Sequence, residues 1–124
     1  MNSTFFIALR FVFGIFLIIF GANKFFHFMP AGQMSEAAMN YFSALMSTNT
    51  INIVAIVEIL AGLSLLVNKF GALMMLILFI ISINAILFHA FLEPGSIGGA
   101  AVLLILNIVM LYAYKERYKD ILRP

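Results

Sequence analysis

The chain has 124 residues, 65% of them hydrophobic and only 10% charged, whereas a soluble domain is roughly 45–50% apolar and about 25% charged. That balance excludes a soluble fold, because so few polar side chains cannot cover so much apolar surface, and it makes the bilayer the solvent for a single membrane domain over residues 1–124. The lack of cysteine excludes disulfides, thiol catalysis and thiolate-held metal within this chain, and a net charge of +2 concentrated in one short tail is no signal for nucleic acid.

Four apolar stretches approach the roughly 20 residues that a helical span requires: Thr4–Ala22, Ile51–Val67, Phe70–Leu92 and Ile97–Tyr114. They predict an all-α integral membrane four-helix bundle. In the first stretch Arg10, Gly14, Leu17, Gly21 and Lys24 recur at helical spacing and share one face. The glycines allow close helix approach and the cations need acceptors, so this stripe is expected to face the bundle interior. The first residues do not read as a cleaved signal. Met1–Leu9 carries no basic residue, Arg10 lies inside the apolar run, and Gly21 and Ala22 form only a weak cleavage site. Phe5, Phe6, Phe11, Phe13, Phe16 and Phe20 read as lipid-facing or packing groups.

The segment Pro30–Thr50 is less apolar. Ala38, Tyr41, Phe42, Leu45 and Met46 recur at helical spacing, with Glu36, Asn40, Ser43 and Ser47 largely elsewhere. This predicts a short amphipathic helix at the membrane interface, between spans one and two. In span two Ala55, Glu58 and Gly62 share a face, which puts a carboxylate among small residues about 10 Å inside the boundary. The tight connection Asn68–Gly71 makes spans two and three antiparallel neighbours.

Span three contains Asn84 and His89. Ser82 and Ala85 share a face with His89, while Asn84 points well away from it. Glu93-Pro94-Gly95-Ser96 is a break, and Gly98, Gly99, Ala100 and Ala101 then open span four, where their small size predicts close packing on a neighbour. Asn107 puts an amide near mid-membrane. Tyr112, Tyr114 and Tyr118 mark a boundary, where amphipathic rings are enriched. The tail 115–124 carries Lys115, Arg117, Lys119 and Arg123 and is expected against anionic head groups, with docking of a soluble partner as the alternative. Four spans put both termini and the Asn68–Gly71 turn on one side. Lys69 and the basic tail make that side cytoplasmic, against Lys24 alone on the other.

An ionisable group inside a span is costly and usually faces the bundle interior and a partner. Lys24, Glu58, Asn84 and His89 fall in the outer half, with Asn107 deeper, and together they make the candidate ligand pocket. Lys24 is the expected ion partner of Glu58. A quinone head group suits such a pocket, since its carbonyls accept hydrogen bonds from Lys24, His89 or an amide. Arg10 lies about 21 Å along the helix from Lys24 and forms a second polar site. Its expected contacts are Tyr114, the last carbonyls of span four and lipid phosphate. His27 and His89 have no supporting motif for haem ligation, and no third ligand accompanies them to hold a metal. The other reading of the same residues is structural, since buried polar groups also fasten membrane helices together.

Arg10-x3-Gly14-x6-Gly21-x2-Lys24, Val57-Glu58-x3-Gly62, Asn84-x4-His89 and Leu106-Asn107-x4-Tyr112-x-Tyr114 resemble, in order and spacing, the DoxX family over nearly the whole chain. The resemblance implies a small four-span bundle in a bacterial cytoplasmic membrane. The family's name derives from a relationship to a membrane subunit of thiosulfate:quinone oxidoreductase. Some members are linked to thiol and oxidative-stress defence, and distant eukaryotic relatives act as membrane-protein assembly factors. The expectation is therefore an accessory or quinone-interacting subunit of a membrane redox system, working beside a redox enzyme or other membrane-protein partner. The alternative is a non-enzymatic scaffold or assembly factor. A small transporter is a third reading, weakened because no paired halves with interrupted helices are seen.

Overall fold

The computed structural model describes residues 2–29 and 33–124. Five helices carry the architecture: α1 (Ser3–Phe26), α2 (Glu36–Ser47), α3 (Thr50–Val67), α4 (Gly71–Leu92) and α5 (Gly98–Ala113). Asn2 starts α1 by accepting from the Thr4 and Phe5 amides at 2.8 and 3.3 Å, which satisfies donors that the helix cannot. The helix then runs past the expected limit at Ala22 and carries Lys24 on its last turn. It stops at His27, in the left-handed region at φ 52°.

The predicted interior stripe of α1 is buried at Arg10, Gly14, Leu17 and Gly21. It lies along α3, whose buried face holds Ala55, Glu58, Ala61, Gly62 and Leu65. Glycine makes this crossing. A methyl group on Gly62 would sit 2.6 Å from the Gly14 carbonyl oxygen and 2.7 Å from Ile18 Cγ1. One on Gly21 would sit 3.0 Å from the Ala55 carbonyl oxygen. With no hydrophobic drive between helices in lipid, such backbone contact is what holds a pair together.

From α3 the chain turns through Asn68 and Phe70, both at positive φ, into α4. The helices α4 and α5 then pack together, and Phe13, Leu17, Leu65, Met75, Leu78 and Met110 fill the shared core without exposure. Asn107 clamps the second pair, its Oδ1 accepting from Ser82 Oγ at 2.8 Å and its Nδ2 donating to the Met75 carbonyl at 3.1 Å.

Three helices, α1, α3 and α4, are each long and apolar enough to cross a membrane. The fourth, α5, reaches that length only with the segment Lys115–Leu122, which departs from it by 72°. The result is an all-α, multi-pass membrane protein with a short helix, α2, between its first two spans. Gln33, Met34 and Ser35 lead into α2, while the predicted start of its segment at Pro30 lies outside the described residues. Ala38 on its inner face is buried. Ser35 caps α2 and also ties it to the end of α4, through its amide to Glu93 Oε2 and its hydroxyl to the Leu92 carbonyl, both at 2.9 Å.

Two expectations are corrected. Of the small residues that open α5, Ala100 is buried, but Gly98 and Gly99 do not pack on a neighbour: a methyl group at either would meet nothing within 4 Å. Of the three boundary tyrosines only Tyr112 is exposed. Tyr114 and Tyr118 turn inward, and Tyr118 donates to the Ala72 carbonyl at the start of α4, at 2.7 Å. The bend after α5 folds the tail back under the bundle and lays these rings against it.

Candidate functional site

At the end of the bundle away from the termini, α1, α3, α4 and α5 surround a cavity of about 260 Å³. Its polar edge is Lys24, Glu58, His89 and Ser96. Its walls include Phe16, Phe20, Gly99 and Leu103. Lys24 and Glu58 face each other because both extend the small-residue stripes that bring α1 onto α3. The ammonium lies 2.6 Å from Glu58 Oε1. Glu58 is only 2% exposed. That contact joins a charged donor to a charged acceptor across the α1–α3 seam, and both residues line the cavity.

His89 reaches the same cavity from α4. Its Nδ1 lies 3.1 Å from Ser96 Oγ and 3.3 Å from the Glu93 carbonyl oxygen, so the break after α4 fixes the ring. Beneath α2 is a second, larger cavity of about 580 Å³. It shares Phe20, Lys24 and His89 with the first and is otherwise lined mainly by apolar groups such as Phe25, Phe42, Met46 and Ile51. The two spaces together offer a charged, hydrogen-bonding edge beside an apolar chamber.

Of the five candidate pocket residues the structure brings together three, Lys24, Glu58 and His89. Asn84 is not among them. It is exposed on α4, where its Nδ2 donates to the Tyr41 hydroxyl at 3.0 Å and pins α2 in place. Asn107 is fully buried away from the cavity in the α4–α5 clamp. At the second polar site Arg10 and Tyr114 both lie against Phe6, and only the backbone partner of Arg10 differs from expectation. The Arg10 Nε donates to the Leu65 carbonyl at 2.9 Å, near the end of α3 and not of α5. That oxygen is free because the Lys69 amide turns back to Ser64 as α3 ends.

Sequence reasoning missed Phe16, Phe20, Ser96 and Gly99. The phenylalanines carried no signal among so many others, but Ser96 stood seven residues beyond His89, across a turn that folds back. His27, considered for haem, lines the second cavity with His89. Among the described residues no three His, Asp or Glu side chains form a metal-holding group.

Residues 5–90 match the family model described as DoxX, a stretch from α1 through most of α4 that includes Lys24, Glu58 and His89. No curated protein and no solved structure matches the chain.

Proposed function

Because this chain belongs to the DoxX family, we propose that its outer cavity binds the head group of a membrane quinone, and that the protein is an accessory, quinone-interacting subunit of a redox system in a bacterial cytoplasmic membrane. The observation that carries the reading is the Lys24–Glu58 ion pair lining a cavity that continues into an apolar chamber. Lys24 donates to a quinone carbonyl. Glu58 accepts from a quinol hydroxyl. The apolar chamber takes the hydrophobic substituent. His89 and Ser96 lead from the cavity toward the exposed turn at Pro94–Ser96, a route for the two protons that accompany two-electron reduction of the quinone. The electrons come from a redox centre in a partner protein. Lys69 and the basic tail support a cytoplasmic position for both termini, which puts this cavity in the outer half of the bilayer.

The Lys24–Glu58 pair also joins α1 to α3, which favours a second reading as a scaffold or assembly factor. One experiment separates the two. The protein is purified in mild detergent and its extracted small molecules are identified by mass spectrometry, beside a thermal melt, for the wild type and Glu58→Gln. The quinone reading expects one quinone per chain, lost in a folded Glu58→Gln protein. A wild type that carries only bulk lipid, with a variant that differs only in melting temperature, supports the scaffold instead.

A further inference from the structure

Arg10 stands at the opposite end of the bundle, and nothing in the quinone reading uses it. It is 8% exposed and satisfies one backbone carbonyl through Nε. Its two terminal nitrogens donate to no described residue, and no described carboxylate pairs with it. The acids at this end are committed elsewhere, Glu116 to Lys119 at 2.6 Å and Asp120 to Arg123 at 2.9 Å. Glu36, Glu58 and Glu93 belong to the far end, on α2, on α3 and just past α4. A buried cation without a counter-ion is strongly unfavourable. One that persists in a membrane span points to an anion supplied from outside the chain.

A second unpartnered group lies beside it. The Tyr114 hydroxyl is buried and makes no hydrogen bond, in a residue only 7% exposed. Both groups flank Phe6. The Arg10 guanidinium carbon is 5.8 Å from the Phe6 ring centroid, and the Tyr114 ring meets that ring edge-on at 5.4 Å. The Arg117 amide donates to the Tyr114 carbonyl at 2.8 Å, so this tail cation follows the ring within one turn. Here a fork of unused N–H donors and an unused O–H donor lie on either side of one ring, beside the start of the basic tail.

We propose that this end of the bundle binds the phosphate of an anionic phospholipid, with Arg10 as ion partner, Tyr114 as hydrogen-bond donor and Arg117 closing over it from the tail. Arginine's planar donors match two phosphate oxygens at once. Phe11, which also lies against the guanidinium at 5.5 Å, is exposed on the lipid-facing side. Exposed apolar surface for acyl chains therefore lies directly beside the buried guanidinium. That geometry favours a lipid over an anion arriving from water.

The test counts lipid on the intact protein. Wild type in mild detergent is titrated with phosphatidylglycerol, phosphatidylcholine or inorganic phosphate, bound lipid is counted by native mass spectrometry, and the melt is followed in parallel. One phosphatidylglycerol per chain is expected to stay bound and raise the melting temperature, with phosphatidylcholine and inorganic phosphate far weaker. Arg10→Gln should weaken retention by about tenfold or more, the effect of removing a charged hydrogen-bonding partner. Tyr114→Phe, which leaves the Arg10–Leu65 bond intact, should weaken it severalfold and decides the matter if Arg10→Gln does not fold. Wild-type retention in either folded variant overturns the proposal, as does loss confined to Lys115→Gln/Arg117→Gln. Equal stabilisation by inorganic phosphate overturns the lipid as the source of the anion.

Discussion

Asn107 joins two helices with one side chain. Its amide takes a hydrogen bond from Ser82 and gives one to the Met75 carbonyl, in a core where no water competes. Interhelical polar contacts in membranes are worth about 0.6 kcal/mol on average and at most about 1.7. Replacing Asn107 by Leu, similar in volume, should therefore destabilise the protein by about 1–2 kcal/mol in a detergent unfolding titration. If the cavity at Lys24 and Glu58 holds the proposed quinone, its retention should be unchanged, because Asn107 does not line that cavity. Loss of ligand at full stability would place the amide in the site after all. Asn84 and Asn107 also show what was legible residue by residue. A polar side chain in an apolar run announces that it needs a partner, but its position on its own helix does not say which neighbour stands opposite. Lys24 and Glu58 were readable as a pair because two stripes of small residues brought their helices together. Asn84 was not, since its partner Tyr41 belongs to α2, whose placement depends on loop geometry.

At the scale of elements, glycine has opposite meanings in α3 and α5. Gly62→Ala drives a methyl group to 2.6 Å from the Gly14 carbonyl oxygen and 2.7 Å from Ile18. Overpacking of this kind costs about 1–3 kcal/mol, so the melting temperature should fall and the α1–α3 pair should loosen. Gly98→Ala meets open space and should be neutral, or stabilising by up to about 1 kcal/mol through the gain in helix preference. Thermal melts of the two variants side by side check both. A clear loss in Gly98→Ala would mean that something packs there. The predicted interior stripe of α1 held because its glycines alternate with charges that had to be inside. Gly98 and Gly99 carried no such companion. Small residues look the same in a sequence whether a backbone or a void lies beside them.

For the whole molecule, the span order and the antiparallel course of spans two and three were legible from apolar runs and tight connections. The fold-back of the tail was not, because Tyr114 and Tyr118 look like ordinary boundary tyrosines until their partners at Gly71 and Ala72 are known. That closure should respond to alkali. Burial first, and the neighbouring Tyr114 second, push the Tyr118 phenol up to about 12. The folded state thus holds this proton more tightly than an unfolded tyrosine, titrating near 10. The stabilisation is complete below pH about 10 and is lost as pH rises from about 10 to about 12. The late-titrating part of the phenolate absorbance should shrink in Tyr118→Phe; a titration identical in both proteins would mean that the tail is not docked.

The same bend has a consequence for the surrounding lipid. With 16 residues, α5 is about 24 Å long, while the 24 residues of α1 make about 36 Å, against a hydrocarbon core of about 30 Å. One side of the molecule is too short for the membrane and another too long. Tilting relieves the excess at α1, and the shortfall at α5 draws the bilayer thin beside it. On these lengths the bilayer is expected to be shallower along the α5 flank, where other short-spanning helices would lose least by gathering.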